Sequence, residues 1–103
     1  MKKTSIIFFV SVVIVACSAK TFAPSEKSIV TMQQRVPGIT LEKAKQGYQL
    51  YSQKCASCHR LYEPDKYSFA QWNDILSKMF PKAKITGSEQ QSLIRDYVHG
   101  MSK

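Results

Sequence analysis

Cys55-Ala56-Ser57-Cys58-His59 is the stretch whose residue types and spacing could do chemistry. Two thiols three residues apart lie on one side of a single helical turn. From there they can add across the two vinyl groups of a haem. The imidazole that follows the second thiol is then held beneath the porphyrin plane, within reach of the iron. C-x-x-C-H spacing reads as covalent haem attachment. The expectation is one haem c, with thioethers at Cys55 and Cys58 and His59 as the proximal axial ligand. The same residues admit two other readings. A Cys55/Cys58 thiol–disulfide enzyme would sit near a βαβ pattern, and the chain has none. A zinc site from Cys55, Cys58, His59 and His99 would need adjacent Cys58 and His59 to point at one tetrahedral metal, with no second cysteine pair.

Haem iron also needs a ligand on the face opposite His59, or it stays open to small molecules. Of four methionines, Met1 leaves with the signal and Met32 precedes the motif. Met79 follows His59 by 20 residues and stands before Phe80-Pro81 at the expected end of a helix. It is the favoured distal ligand. His99 and Met101 are the alternatives, as is an open site suited to gas sensing or a small peroxidase. Met79 also continues an apolar helix face, so core packing is its competing role.

The N-terminus bears on the cysteine count. Lys2 and Lys3 precede an apolar run of 11 residues, Ile6 to Ala16. That is about half the ~20 residues that cross a bilayer as a helix, and it matches the apolar region of a secretory signal. Ile14-Val15-Ala16-Cys17 resembles a bacterial lipobox. The resemblance implies that residues 1–16 are removed and Cys17 is lipidated. A lipid on Cys17 and thioethers at Cys55 and Cys58 would use all three cysteines; a Cys55–Cys58 disulfide would strand Cys17. Export agrees, because c-type haem is attached on the outer side of the bacterial inner membrane. Ser18, which is not Asp, resembles outer-membrane rather than inner-membrane sorting by the enterobacterial rule. The expected location is therefore the periplasmic side of an envelope membrane.

Removing 16 of 103 residues leaves 87, enough for one domain with a limited core. Such a domain gains from a covalent or metal-based aid to stability, and a haem would be one. Losing Lys2 and Lys3 takes the formal net charge from +8 to about +6, and ionised propionates would remove about two more. The lysines are dispersed and form no basic run interleaved with aromatics. They therefore point away from nucleic acid, to a solvated surface or a docking face for an acidic redox partner.

The elements that must position these groups read as helices. Residues 17–38 comprise the lipidated cysteine, a tether over Ser18–Lys27 with Pro24, and a short helix from Glu26 to Arg35 on the spacing of Ile29, Met32 and Val36. Pro37-Gly38 ends it. Residues 39–103 are the haem domain. Thr40 is a good N-cap for a helix from Leu41 to Lys54, with Leu41, Ala44, Tyr48, Tyr51 and Cys55 on one face. Gly47 beside that face suggests close backbone approach. Pro64 marks a loop. Ser68-x-x-Gln71 is a capping box opening a helix to about Met79, with Phe69, Trp72, Ile75, Leu76 and Met79 inward and Pro81 as its stop. Thr86-x-x-Glu89 is a second box, opening a last helix with Leu93, Ile94, Tyr97, Val98 and Met101 inward and Gly100 at its end. There is no strand signal and no internal repeat.

Gly47-Tyr48-x-x-Tyr51, Cys55-x-x-Cys58-His59-x-Leu61-Tyr62-x-Pro64, Trp72, Met79, Ala83-Lys84-Ile85-Thr86, Glu89 and Tyr97-Val98 together resemble the small single-haem class I cytochromes c of bacterial envelopes, lipoprotein forms included. The resemblance covers about residues 37–99. It implies an all-α, cytochrome c-like fold of three to four short helices around one covalent haem, with His59 and Met79 as axial ligands. It implies that the N- and C-terminal helices cross at Gly47 and Tyr51. A carbonyl in the loop after the motif would accept the second ring proton of His59. It also implies electron transfer between redox protein partners, without catalysis, from a membrane reached through the lipid on Cys17. The chain would act as a free carrier or as a subunit of a respiratory complex.

Overall fold

The computed structural model describes residues 22–55 and 61–103. Among the described residues the chain is all-helical, with four α-helices and no strand. α1 spans Glu26–Arg35, the bounds expected from the apolar spacing. Its start is a capping box: the Ser28 N–H donates to Ser25 Oγ at 3.2 Å and the Ser25 N–H to Ser28 Oγ at 2.8 Å. Gly38, at φ +83°, takes the left-handed turn after it, a conformation that costs a residue with a Cβ.

α2 spans Leu41–Leu50, and Thr40 caps it by accepting the Lys43 N–H at 3.2 Å. The α-helix is shorter than the expected Leu41–Lys54. From Tyr51 to Cys55 the backbone widens into a π turn. Tyr51 and Cys55, expected on one face, are both buried there. A 3₁₀ turn, Pro64–Lys66, follows the motif.

α3 spans Phe69–Lys82. Its capping box is the expected one, with Ser68 Oγ accepting the Gln71 N–H and Gln71 Oε1 accepting the Ser68 N–H. Pro81 does not stop it; the proline lies in the last turn. Its ring removes one bond to the Ser77 carbonyl, and Ser77 is exposed, so water can replace that bond. The stop comes three residues later. Lys84 adopts φ 58° and donates to Pro81 O at 3.1 Å, while Ile85 donates to Phe80 O at 2.9 Å. This is a Schellman ending, sealed by buried Phe80 and Ile85. A left-handed lysine carries a steric cost that glycine avoids. Lys84→Gly should therefore stabilise the fold by a net ~0.5–1 kcal/mol, after the entropy cost of glycine. A shift of the urea midpoint to higher concentration checks it; an unchanged midpoint contradicts it.

α4 spans Ser88–Met101, and its start and end both differ from expectation. Thr86 is not the cap. Gly87 is, without a side-chain bond, because buried Ile85 holds the preceding chain and Gln91 Nε2 donates to the Ile85 carbonyl at 2.8 Å. Gly100 does not end the helix either. It lies inside, where a Cβ would meet Met32 Cβ at 3.2 Å, and so lets α1 approach closely.

The core is organised by α4. It crosses α2 at Gly47, packs α1 on a second side and α3 on a third. A Cβ at Gly47 would clash with the Leu93 carbonyl and lie 2.7 Å from Tyr97 Cβ. The close approach expected at Gly47 is present. Part of the expected tether is docked: Pro24 is buried, and Tyr97 Oη donates to the Phe22 carbonyl at 2.8 Å. Among the described residues no helix is long and apolar enough to cross a membrane.

Candidate functional site

The candidate site begins at the π turn. Cys55 is 6% exposed and sits one turn after Tyr51. Tyr51 Oη donates to the Tyr62 carbonyl, which joins the chain before the motif to the chain after it. Two residues on, Pro64 O accepts the Trp72 indole N–H at 2.8 Å. The strap 61–67 is thereby pinned to the π turn and to α3. Cys17, Cys58 and His59 lie outside the described residues, as does the apolar run Ile6–Ala16. Among the described residues no three His, Cys, Asp or Glu side chains converge as metal ligands.

The wall beside this turn is aromatic. Trp72 and Tyr97 are fully buried. Tyr51 meets Trp72 edge-on at 6.0 Å and Tyr97 at 5.6 Å between ring centroids. Tyr67 meets Trp72 at 5.5 Å. Burial pushes the Tyr51 and Tyr97 phenols far above the ordinary range, and the neighbouring Cys55 and tyrosines push the same way. Both phenols stay neutral and act as hydrogen-bond donors.

α3 presents two stripes. Trp72, Leu76 and Phe80 recur every four residues and are buried in the core. Ile75 and Met79 form the neighbouring stripe and are half-buried. Ile75 packs on the core. The other methionines among the described residues lie in or against the core. Met32 is buried against Gly100. Met101 packs on the core.

His99 is buried and stacks on Phe69, with ring centroids 3.6 Å apart and planes 21° apart. Phe69, expected inside, is instead 50% exposed, lying over His99 at the start of α3. His99 Nε2 has no hydrogen-bond partner. Burial first, and the Arg95 guanidinium second, hold its pKa below the ordinary 6.5, with Asp96 opposing. The folded state thus binds this proton less readily than the unfolded chain. Its stability should be full above about pH 6.5 and fall as the pH drops through the window between that value and the lowered one. Thermal unfolding followed from pH 8 downward should show the decline, and His99→Gln should flatten it. Equal pH slopes in the two proteins would contradict this account.

Sequence reasoning missed the Tyr51–Tyr62 clasp and the Trp72–Pro64 bond. Neither has a local signature, since each joins residues at a separation set by the path of the strap. No protein-family profile matches the chain, and no curated protein or solved structure matches it either.

Proposed function

We propose that the chain is a membrane-tethered, single-haem c-type cytochrome that carries electrons between redox proteins of a bacterial envelope. The observation that carries this reading is Cys55-x-x-Cys58-His59, with its first cysteine buried at the end of a bonded π turn beside an aromatic wall. The donor set fits a haem: two thiols for the vinyl groups, an imidazole at His59, and a thioether at half-buried Met79. The half-buried apolar groups near the motif and on α3, among them Leu61 and Ile75, are surfaces that a porphyrin could cover.

When bound, a His/Met-ligated haem supplies a reversible one-electron couple of raised potential. The chain's own residues do the rest. Cys55 and Cys58 hold the group covalently, so it survives repeated encounters with partners. The Tyr51–Tyr62 clasp and the Trp72–Pro64 bond keep the strap after His59 from shifting when the charge changes. A rigid surround lowers the reorganisation that accompanies each transfer. Lipidation at Cys17 would confine the carrier to a surface: two or three acyl chains, at ~0.8 kcal/mol per buried methylene, hold it stably. The dispersed lysines suit docking to acidic partners, free or within a respiratory complex.

The test is expression of the full chain in a host able to mature c-type cytochromes. The purified protein should be red, its colour should survive acidic acetone, and its N-terminal peptide should carry acyl chains on Cys17. A colourless protein with free Cys55 and Cys58 thiols would overturn the reading. The distal ligand has its own test. Met79→Ala should abolish the weak long-wavelength charge-transfer band of ferric His/Met haem and let carbon monoxide bind readily. An unchanged spectrum would exclude Met79 and favour His99, Met101 or an open site.

A further inference from the structure

Six aromatic rings form one continuous series through the molecule. Tyr48 lies 5.6 Å from Tyr97, and Tyr97 lies 5.6 Å from Tyr51. Tyr51 lies 6.0 Å from Trp72, Trp72 lies 5.5 Å from Tyr67, and Tyr67 lies 5.7 Å from Tyr62. All six are tyrosine or tryptophan, the side chains that one-electron oxidants attack most readily after cysteine and methionine. No phenylalanine interrupts the series. Its middle is buried and one end, Tyr62, is 41% exposed.

We propose that Tyr51, Trp72, Tyr67 and Tyr62 form an oxidation relay that moves an oxidising equivalent from beside Cys55 to the surface at Tyr62. Where that equivalent enters rests on the haem reading above; the relay itself is a property of the four rings. The oxidant is a peroxide. Each Tyr62 phenol gives up one electron through the relay and one proton to water. Hydrogen peroxide accepts two electrons, from two copies of the chain, with two protons, and leaves as two waters. The two Tyr62 rings then join by a carbon–carbon bond as dityrosine, which accounts for every atom and electron.

The direction of travel follows from where a proton can go. Loss of an electron makes a phenol strongly acidic, and the radical settles where that proton can leave. Tyr51 Oη points at the Tyr62 carbonyl and Tyr97 Oη at the Phe22 carbonyl, neither of which is a base. Burial also raises the pKa of both phenols. The Trp72 N–H is likewise held by a carbonyl, Pro64 O. Tyr67 is half-buried, and Tyr62 meets water. The exposed ring is therefore the resting place of the equivalent.

The experiment treats the full-length ferric holoprotein with hydrogen peroxide and maps dityrosine by fluorescence and peptide mass spectrometry. Haem content is measured first from the pyridine haemochrome spectrum. Protein without haem overturns the functional reading, whereas haem-loaded protein that gives no dimer overturns the relay. The expected product is a dimer joined at Tyr62. Tyr62→Phe should abolish it and move oxidation to Tyr67 and Trp72. Tyr67→Phe keeps the ring that packs between Tyr62 and Trp72 and removes its easy oxidation. It should lower the dimer yield several-fold with an unchanged unfolding midpoint. Dimer formation at the wild-type yield in Tyr67→Phe, or a dimer joined elsewhere, would overturn the relay and leave the series as core packing.

Discussion

Gly47→Ala should destabilise the fold by a net ~2–3 kcal/mol, although alanine is the better helix former by about 1 kcal/mol. Gly47 is where α2 and α4 touch backbone to backbone. An added methyl would stand 3.0 Å from the Leu93 carbonyl carbon, closer still to its oxygen, and 2.7 Å from Tyr97 Cβ. None of these is the far end of a flexible side chain, so relief requires the helices to part. Parting loosens the contacts of Tyr48 and Tyr51 with Tyr97, which hold the start of the π turn. A drop in urea midpoint with unchanged m-value is the expected readout. Gly87→Ala is the control: its Cβ would meet only Gln90 Cγ, at 3.9 Å, and it should change stability by less than about 1 kcal/mol. Equal stability of Gly47→Ala and the parent chain would show that the helices do not cross at this residue.

Trp72→Ala should be the most damaging single truncation, at about 3–5 kcal/mol. Trp72 is 1% exposed and meets Tyr51 and Tyr67 edge-on. Its loss would open a cavity between α3, the π turn and the strap. It would also leave the Pro64 carbonyl without its indole donor. Trp72→Phe keeps most of the ring volume and loses the hydrogen bond, so it should cost only about 1–2 kcal/mol. For a domain of this size the alanine change removes much of the total stability of roughly 5–10 kcal/mol. Far-ultraviolet circular dichroism should show Trp72→Ala largely unfolded at 37 °C and Trp72→Phe folded. If the two variants melted together, the volume of the ring would not be what holds the strap.

Much of the local structure was legible along the chain because local rules decided it. α1 begins and ends where its apolar spacing and Pro37-Gly38 indicate. Thr40 and Ser68 cap because their hydroxyls reach backbone N–H groups three residues on, whatever the rest of the fold does. Gly47 was readable as a close approach because a glycine inside an apolar helix face otherwise has only a cost. The all-helical class follows from the same patterns.

The departures have causes both close by and far along the sequence. Pro81 could lie within α3 because its one lost bond faces water and a Schellman turn ends the helix later. Thr86 lost the cap to Gly87 because buried Ile85 set the position of the chain before it. Gly100 continued α4 because Met32 of α1 fills the space beside it. Part of the expected tether is docked because Tyr97 offers Phe22 a hydrogen bond.

The candidate site divides in the same way. Cys55-x-x-Cys58-His59 was legible as a candidate by residue type and spacing alone. Whether Met79 belongs to the core or stands free for iron could not be read from helical periodicity, since the two stripes of α3 overlap in an apolar pattern. Trp72, Leu76 and Phe80 are buried in the core, and Ile75 and Met79 are half-buried beside them. Periodicity marks which side of a helix turns inward. Only the neighbouring helices decide how wide a stripe they cover.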